Sequence, residues 1–301
     1  MGYKIGGSFV IHIALHSSIP MFQQEYKIQF AQNGYVVVRD LFTPHEAESL
    51  KTHYTTLRES GNVPGDPFKY PTPEEMMADP LQKYPRMLQM HRWDEASLRW
   101  LLDSRINEVL TGILGREPFA VQTMIYFKPP KARGQALHQD NYYLRARPGT
   151  CCAAWMALED VDEENGCLQV VSGSHTWPTL CTVPADLKQS FIDITVPIPE
   201  GTPVVPVLMQ AGDVMFFNGQ LVHGSLPNTS TSRFRRSLIG HYIEGDSQQV
   251  GLWYKPTLRM DGSEVILETT ENGTRCGTWV DVNGVPVPEV TGYEIVDKVT
   301  E

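Results

Sequence analysis

Helical periodicity dominates the first third of the chain, where apolar residues recur every three or four positions. This spacing predicts three helices, over residues 23–32, 43–60 and 95–114. The second begins with a capping box, because the Thr43 hydroxyl and the Glu46 carboxylate can each bond the other's backbone N–H. The apolar run 35–39 predicts a buried strand. Residues 62–84 are rich in Pro, Gly and Asp and predict a long loop, which in a compact domain usually serves as a lid or substrate wall.

From Glu117 onward the pattern shortens to the period of β-strands. Six strands are predicted, over residues 119–128, 150–158, 168–171, 204–208, 214–217 and 235–244. Turn residues separate them, as in Asn165-Gly166. Short strands after a helical region predict a mainly β fold with flanking helices, in which two antiparallel sheets form a jelly roll.

The length of the chain, 301 residues, fits a single domain. We expect a flexible leader over 1–20 and one folded domain over 21–301. That domain divides into a helical part (21–116), a β-barrel core (117–245) and a C-terminal extension (246–301). Turn signals at Asp261-Gly262, Asn272-Gly273 and Asn283-Gly284 predict hairpins in the extension, which could cover a sheet edge or contact a second copy in a homodimer.

The composition of the chain excludes some classes of binding partner. A net charge of −10 and a pI near 5.4 argue against nucleic acid or an anionic membrane, since both bind basic surfaces. No apolar run is long enough to span a bilayer. The five cysteines are odd in number and contain no Cys-x-x-Cys pair, which predicts reduced thiols and a cytoplasmic location.

The candidate chemistry centres on His138-Gln139-Asp140 and the distant His223. On an extended backbone, residues two apart point the same way, so His138 and Asp140 could share a metal ion while Gln139 points elsewhere. Two imidazoles and a carboxylate form the ligand set of mononuclear non-haem iron sites. Taken alone, however, a His-x-Asp triplet also occurs by chance.

An arginine cluster beyond His223 strengthens the iron interpretation. A guanidinium can bind a carboxylate through two parallel hydrogen bonds, as a dicarboxylate cosubstrate would require. Arg233 and Arg235 share one face of the predicted strand and Arg236 takes the other. The alternative is a basic surface strand in an acidic protein.

A family resemblance follows from an ordered set of motifs between residues 32 and 242. The motifs are Tyr126-Phe127-Lys128-Pro129, His138-Gln139-Asp140, Trp155, Asn165-Gly166-Cys167-Leu168, Ser172-Gly173-Ser174-His175, Gly212-Asp213 and His223-Gly224-Ser225. This set closely resembles the phytanoyl-CoA dioxygenase family.

The resemblance implies a double-stranded β-helix enzyme that uses Fe(II), 2-oxoglutarate and O₂. The family's metal ligands fall on His138, Asp140 and His223, and its 2-oxoglutarate arginine falls best on Arg235. Ser225 and Trp155 match positions that commonly line the cosubstrate pocket.

The expected reaction is hydroxylation of a C–H bond of a small-molecule metabolite, with formation of succinate and CO₂. Asp140 favours oxygen chemistry, because halogenating relatives replace this carboxylate with a small residue. Desaturation and oxidative ring formation remain alternatives, as does a non-redox hydrolase or isomerase that uses another metal on a cupin-like barrel. Candidate substrate-lining residues are Gln89, His91, Tyr142, Tyr143 and Arg145. For His175 and His241 a structural role is expected.

Overall fold

The structure is a computed structural model that describes residues 24–61, 63, 72–78 and 84–296. The predicted leader and most of the predicted loop 62–84 lie outside the described residues. The helices within these ranges, α1 to α6, are Gln24–Asn33, Pro44–Glu59, Pro73–Ala78, Glu95–Leu101, Ser104–Leu114 and Asn141–Leu144.

The N-terminal helices confirm the capping box but correct two predictions. Thr43 and Glu46 bond each other's backbone N–H at the start of α2. The single helix predicted over 95–114 is two helices, because Asp103 accepts a hydrogen bond from the N–H of Arg105 at 2.9 Å and begins a new helix there. Helix α3 lies inside the predicted loop.

The described strands, β1 to β18, follow the predicted pattern closely through the core. In chain order they are Tyr35–Val38, Met87–Leu88, Phe119–Lys128, Gln135–His138, Cys151–Ala157, Leu168–Val170, Val183–Pro184, Ile194–Thr195, Val205–Val207, Val214–Asn218, His223–Ser225, Arg235–Ile243, Gln249–Val250, Thr257–Leu258, Glu264–Val265, Glu268–Thr269, Gly273–Val282 and Val285–Ile295.

Two antiparallel sheets make up the core, as a jelly roll requires. The larger sheet has the strand order β1-β10-β5-β12-β3-β14-β15, with β2 beside β3, and the smaller has the order β4-β11-β6-β9. Side chains alternate through the larger sheet: Trp155 and Ile239 pack with the smaller sheet, whereas Met156 and Leu238 pack with the helices. Both faces are therefore buried, and the expected mainly β fold is confirmed.

The C-terminal extension ends in a long hairpin of β17 and β18. Its turn, Asn283-Gly284, has positive φ at both residues, 57° and 81°, as a type I′ turn needs. The hairpin predicted at Asp261-Gly262 also forms, between β14 and β15. The one predicted at Asn272-Gly273 does not, because Gly273 already begins β17.

This hairpin docks on the segment 177–198. Gly277 exchanges backbone hydrogen bonds with Thr179 and Cys181 at 2.7 and 2.9 Å, and a disulfide joins Cys181 to Cys276. The prediction of reduced thiols is wrong for these two cysteines. They lie 95 residues apart in the sequence, and the fold brings them together. The argument from cysteines for a cytoplasmic location is lost with it. The described helices include none with the length and apolar character to span a membrane.

The capping box gives a test of the helical region. We expect Thr43→Ala to lower the free energy of unfolding by about 1 kcal/mol, because the first turn of α2 loses its side-chain acceptor. Thr56→Ala, on an exposed face of the same helix, is the matched control and should change stability by less than about 0.5 kcal/mol. Chemical denaturation measures both, and equal effects would contradict the assignment.

Candidate metal centre

A cavity of about 470 Å³ lies between the two sheets, and its walls come from both of them. His138, Asp140 and His223 line it together, although they are far apart in the sequence. All three are buried, and one possible ligand atom from each lies within 4.8 Å of the others. The predicted ligand residues therefore converge on one point.

Strand pairing brings the two imidazoles together. His138 is the last residue of β4, His223 is the first of β11, and the two are direct partners in the antiparallel register. Their ring centroids are 4.2 Å apart. The side chains of paired residues in antiparallel strands project to the same face of the sheet, so the register alone places both rings at the cavity.

Asp140 reaches the same point by a different route from the predicted one. The strand ends at His138, and Asp140 has helical φ and ψ of −63° and −35° at the start of α6. Its Oδ1 lies 3.6 Å from Nε2 of His138 and 3.7 Å from Nε2 of His223. Gln139 points away, as expected, and bonds the backbone of Leu180 and Gln220.

Backbone carbonyls fix the tautomers of both histidines. Nδ1 of His138 lies 2.9 Å from the carbonyl oxygen of Ala136, and Nδ1 of His223 lies 3.0 Å from that of Leu221. Since a carbonyl can only accept, each Nδ1 carries the hydrogen. Each Nε2 therefore keeps its lone pair, as metal-binding histidines require, and Nε2 of His138 lies 3.1 Å from the side-chain amide nitrogen of Gln135.

The charges also suit a divalent cation. Burial alone would raise the pKa of the Asp140 carboxyl, but the neighbouring His223 and the hydrogen bond from His241 hold it well below its usual range. Burial, and then the nearby His223, lower the pKa of His138 to about 4. A carboxylate and a neutral imidazole at neutral pH are the protonation states that metal binding needs.

His241, for which a structural role is expected, lies at this centre. Its Nε2 is 3.2 Å from Oδ2 of Asp140, the oxygen that does not face the other two imidazoles. It lines the cavity because it shares strand parity with Arg235 on β12. That parity was the available sequence signal.

Of the three clustered arginines, only Arg235 faces the cavity. Its guanidinium carbon lies 5.4 Å from the centre of the Trp155 ring, and Nη1 donates to Ser237 Oγ at 2.7 Å. Its Nε is buried without a partner. The others form ion pairs, Arg233 with Asp162 and Glu164, and Arg236 with Glu159. Burial lowers the pKa of Arg235 to about 10, so an anion bound there would be favoured.

The predicted substrate residues divide into two groups. Tyr142 and Tyr143 line the cavity. Gln89, His91 and Arg145 are buried and are not among the residues that line it, and their role toward a substrate stays a prediction. The Gln89 amide bonds the carbonyl of Trp253, the His91 ring bonds the hydroxyl of Thr123, and Arg145 is buried beside Gly251. The strand β2 ends at Leu88, which faces the cavity, so the alternation of its side chains does not extend to Gln89.

Several lining residues were not predicted from the sequence. Arg86 and Gln122 belong to strands or strand ends whose inward parity could have identified them. A set of apolar lining residues, here called the apolar rim, could not have been found in this way. Its members come from the segment after β7 and from the extension: Ile192, Ile194, Ile295 and Val296. Asp193 lines the cavity between the first two.

Known proteins resemble the chain in sequence. The profile of the family described as "Phytanoyl-CoA dioxygenase (PhyH)" matches residues 30–237. Phytanoyl-CoA dioxygenase 1 of Oryza sativa subsp. japonica is 30% identical over 52% of this chain and 55% of its own length. The peroxisomal phytanoyl-CoA dioxygenase of Rattus norvegicus is 26% identical over 80% of this chain and 74% of its own.

Solved structures resemble it in fold. The α-ketoglutarate-dependent carbocyclase SnoK from nogalamycin biosynthesis is 22% identical with a TM-score of 0.60, covering 76% of this chain and 87% of that one. EvdO2 from Micromonospora carbonacea var. aurantiaca, complexed with 2-oxoglutarate, is 20% identical with a TM-score of 0.59, covering 74% and 91%. The expected fold, the dioxygenase class, and iron and 2-oxoglutarate as cofactors are confirmed.

The contact between His241 and Asp140 gives a test of this centre. We expect His241→Leu to weaken Mn(II) binding about 10- to 100-fold, because the carboxylate loses the group that orients it. Titration calorimetry without 2-oxoglutarate measures the affinity. The control is His45→Leu, at the exposed start of α2, which should leave it unchanged. A folded His241→Leu variant with full affinity would contradict the orienting role.

Proposed function

The chain belongs to the phytanoyl-CoA dioxygenase family, and on that premise we propose that it hydroxylates a C–H bond of a small-molecule metabolite. In the balanced reaction, substrate, O₂ and 2-oxoglutarate give hydroxylated product, succinate and CO₂. The observation that carries the proposal is the convergence of His138, Asp140 and His223 in a cavity that also holds a buried arginine, Arg235.

These three residues would hold the iron through two Nε2 atoms and one carboxylate oxygen. The donor set fits Fe(II), since both imidazoles are held in the ligating tautomer and the carboxylate is ionised. When bound, the iron supplies the O₂-dependent oxidation, coupled to decarboxylation of the keto acid. The protein's own contribution is to hold the ligands in place.

Arg235 and Ser225 would bind the distal carboxylate of 2-oxoglutarate. Both are buried and line the cavity, and Arg235 has an N–H without a partner. A guanidinium matches a carboxylate with two parallel hydrogen bonds. Trp155 lies beside Arg235 and would form the flat wall of this end of the pocket.

The substrate would enter past the apolar rim formed by Ile192, Ile194, Ile295 and Val296. Two of these come from the end of the C-terminal extension, beyond the residues that match the family. An apolar rim favours a substrate with an apolar framework, and a cavity of about 470 Å³ suits a small metabolite. The net charge of −10 disfavours a polyanion such as a coenzyme A thioester.

The proposed ligands predict loss of turnover on substitution. We expect His138→Ala and His223→Ala to abolish O₂-dependent conversion of 2-oxoglutarate to succinate, because each removes a metal ligand. The control is His175→Ala, since His175 bonds the carbonyl of Ala31 away from the cavity. Succinate is measured by chromatography with Fe(II), in air and without oxygen. Retained succinate formation in either ligand variant would overturn the ligand assignment. Substrate turnover without oxygen and 2-oxoglutarate would overturn the proposal in favour of a non-redox enzyme.

A substitution in the apolar rim should impair turnover of the substrate without changing the binding of 2-oxoglutarate. A panel of small metabolites and coenzyme A thioesters is first screened for stimulation of succinate release. With the best compound, we expect Ile194→Asp to reduce stimulated turnover at least about tenfold, because a charge replaces apolar surface. Its 2-oxoglutarate affinity should not change. Ile266→Asp, at a position 86% exposed and outside the cavity, is the control. Equal losses in both variants would contradict a role for the rim.

A further inference from the structure

Lys128 is an unusual residue for its surroundings. It is the last residue of β3 and lies directly opposite Arg235 in the register of β12. Only 3% of its surface is exposed, although lysine is almost never fully buried without a partner of opposite charge. Among the described residues, no carboxylate lies within 4 Å of the charged groups of Lys128 or Arg235.

The ammonium group is held by two oxygen atoms. Nζ lies 2.9 Å from the hydroxyl oxygen of Ser225 and donates to the carbonyl oxygen of Leu226. The stem of the side chain passes close to Gly166, where an added Cβ would lie 2.8 Å from Cδ of Lys128. Gly166 has φ of +91°, a conformation that only glycine adopts easily. A glycine at position 166 therefore provides the space that the Lys128 side chain occupies.

The contact sets the direction of the Ser225 hydroxyl. Its oxygen lies 2.9 Å from Nζ of Lys128 and 3.2 Å from the backbone N of Gln135, both of which donate. A hydroxyl oxygen has two lone pairs and one hydrogen. Because the two donors occupy both lone pairs, the hydrogen must point elsewhere, and Ser225 lines the cavity. Ser225 is thereby made a donor to whatever binds there.

The positive charges of Lys128 and Arg235 also favour the binding of an anion beside Ser225. Burial, and then the nearby Arg235, lower the pKa of Lys128 well below its usual range. Two adjacent buried cations destabilise each other, and an anion bound beside them offsets this. The cavity next to Ser225 and Arg235 is the place where an anion would contact both groups.

We propose that Lys128 is a positioning residue for the cosubstrate. It fixes the Ser225 hydroxyl as a donor to the distal carboxylate of 2-oxoglutarate and adds a second positive charge behind it. The inference rests on the proposed binding of that carboxylate by Arg235 and Ser225. Its consequence is selectivity for a dicarboxylate over a 2-oxo acid that lacks the distal charge.

The test compares two ligands that differ only in the distal group. 2-Oxoglutarate and 2-oxopentanoate share the keto acid that chelates a metal, but the second ends in a methyl group. Binding of each to the Mn(II)-loaded protein is measured by calorimetry without oxygen. We expect Lys128→Met to weaken 2-oxoglutarate about 10- to 100-fold, as for loss of a hydrogen bond to a charged group. The affinity for 2-oxopentanoate should stay within about twofold.

Two further variants separate positioning from general damage. If Lys128 acts through Ser225, the Lys128→Met and Ser225→Ala double variant should lose less affinity than the product of the two single losses. Lys128→Gln keeps a donor without the charge and should retain part of the affinity, and it serves if Lys128→Met folds poorly. Lys188→Met, at an exposed position, is the control and should bind like the unaltered protein.

The outcomes distinguish this inference from the proposed function. If the unaltered protein with Mn(II) does not prefer 2-oxoglutarate over 2-oxopentanoate, the proposed carboxylate site itself fails. If it does and Arg235→Met abolishes the preference while neither Lys128 variant changes it, only the role of Lys128 is overturned. Equal weakening of both ligands in the Lys128 variants, or multiplicative losses in the double variant, would also overturn it.

Discussion

The candidate site depends on the register between two short strands. Because β4 and β11 pair with His138 directly opposite His223, both imidazoles face the same cavity. A shift of one residue would turn one ring to the other face of the sheet. The strand β11 is held on its other side by its pairing with β6, and two backbone carbonyls orient the rings. The sheet thus provides both the position and the tautomer of the two imidazoles.

The cavity joins this centre to a region of opposite charge. Asp140 supplies a buried carboxylate on one side, and Arg235 and Lys128 supply buried cations from two neighbouring strands of the larger sheet. Isolated buried charges are costly, and each kind here favours a bound partner of opposite sign. A metal cation and a dicarboxylate would satisfy both requirements together. These buried charges are therefore the basis of the proposed binding specificity.

Much of this arrangement could be predicted from the sequence, because the core strands follow a period of two and two of the three ligands lie in the short motif His138-Gln139-Asp140. The strand 119–128 and the inward parity of Arg235 on β12 are examples. Where turns intervene, the local pattern predicts less. Asp140 reaches the site through a helical turn, and the helix predicted over 95–114 is interrupted at Asp103. Long-range contacts were not predictable, since no local pattern pairs Cys181 with Cys276 or brings Val296 to the cavity.

The most direct test is a crystal structure of the protein grown without oxygen with Fe(II) and 2-oxoglutarate, with anomalous data collected at the iron edge. We expect one anomalous peak within coordination distance of Nε2 of His138, Nε2 of His223 and a carboxylate oxygen of Asp140. Density for the distal carboxylate is expected at Arg235. A peak that lacks either imidazole, or a cosubstrate bound away from Arg235, would contradict this proposal.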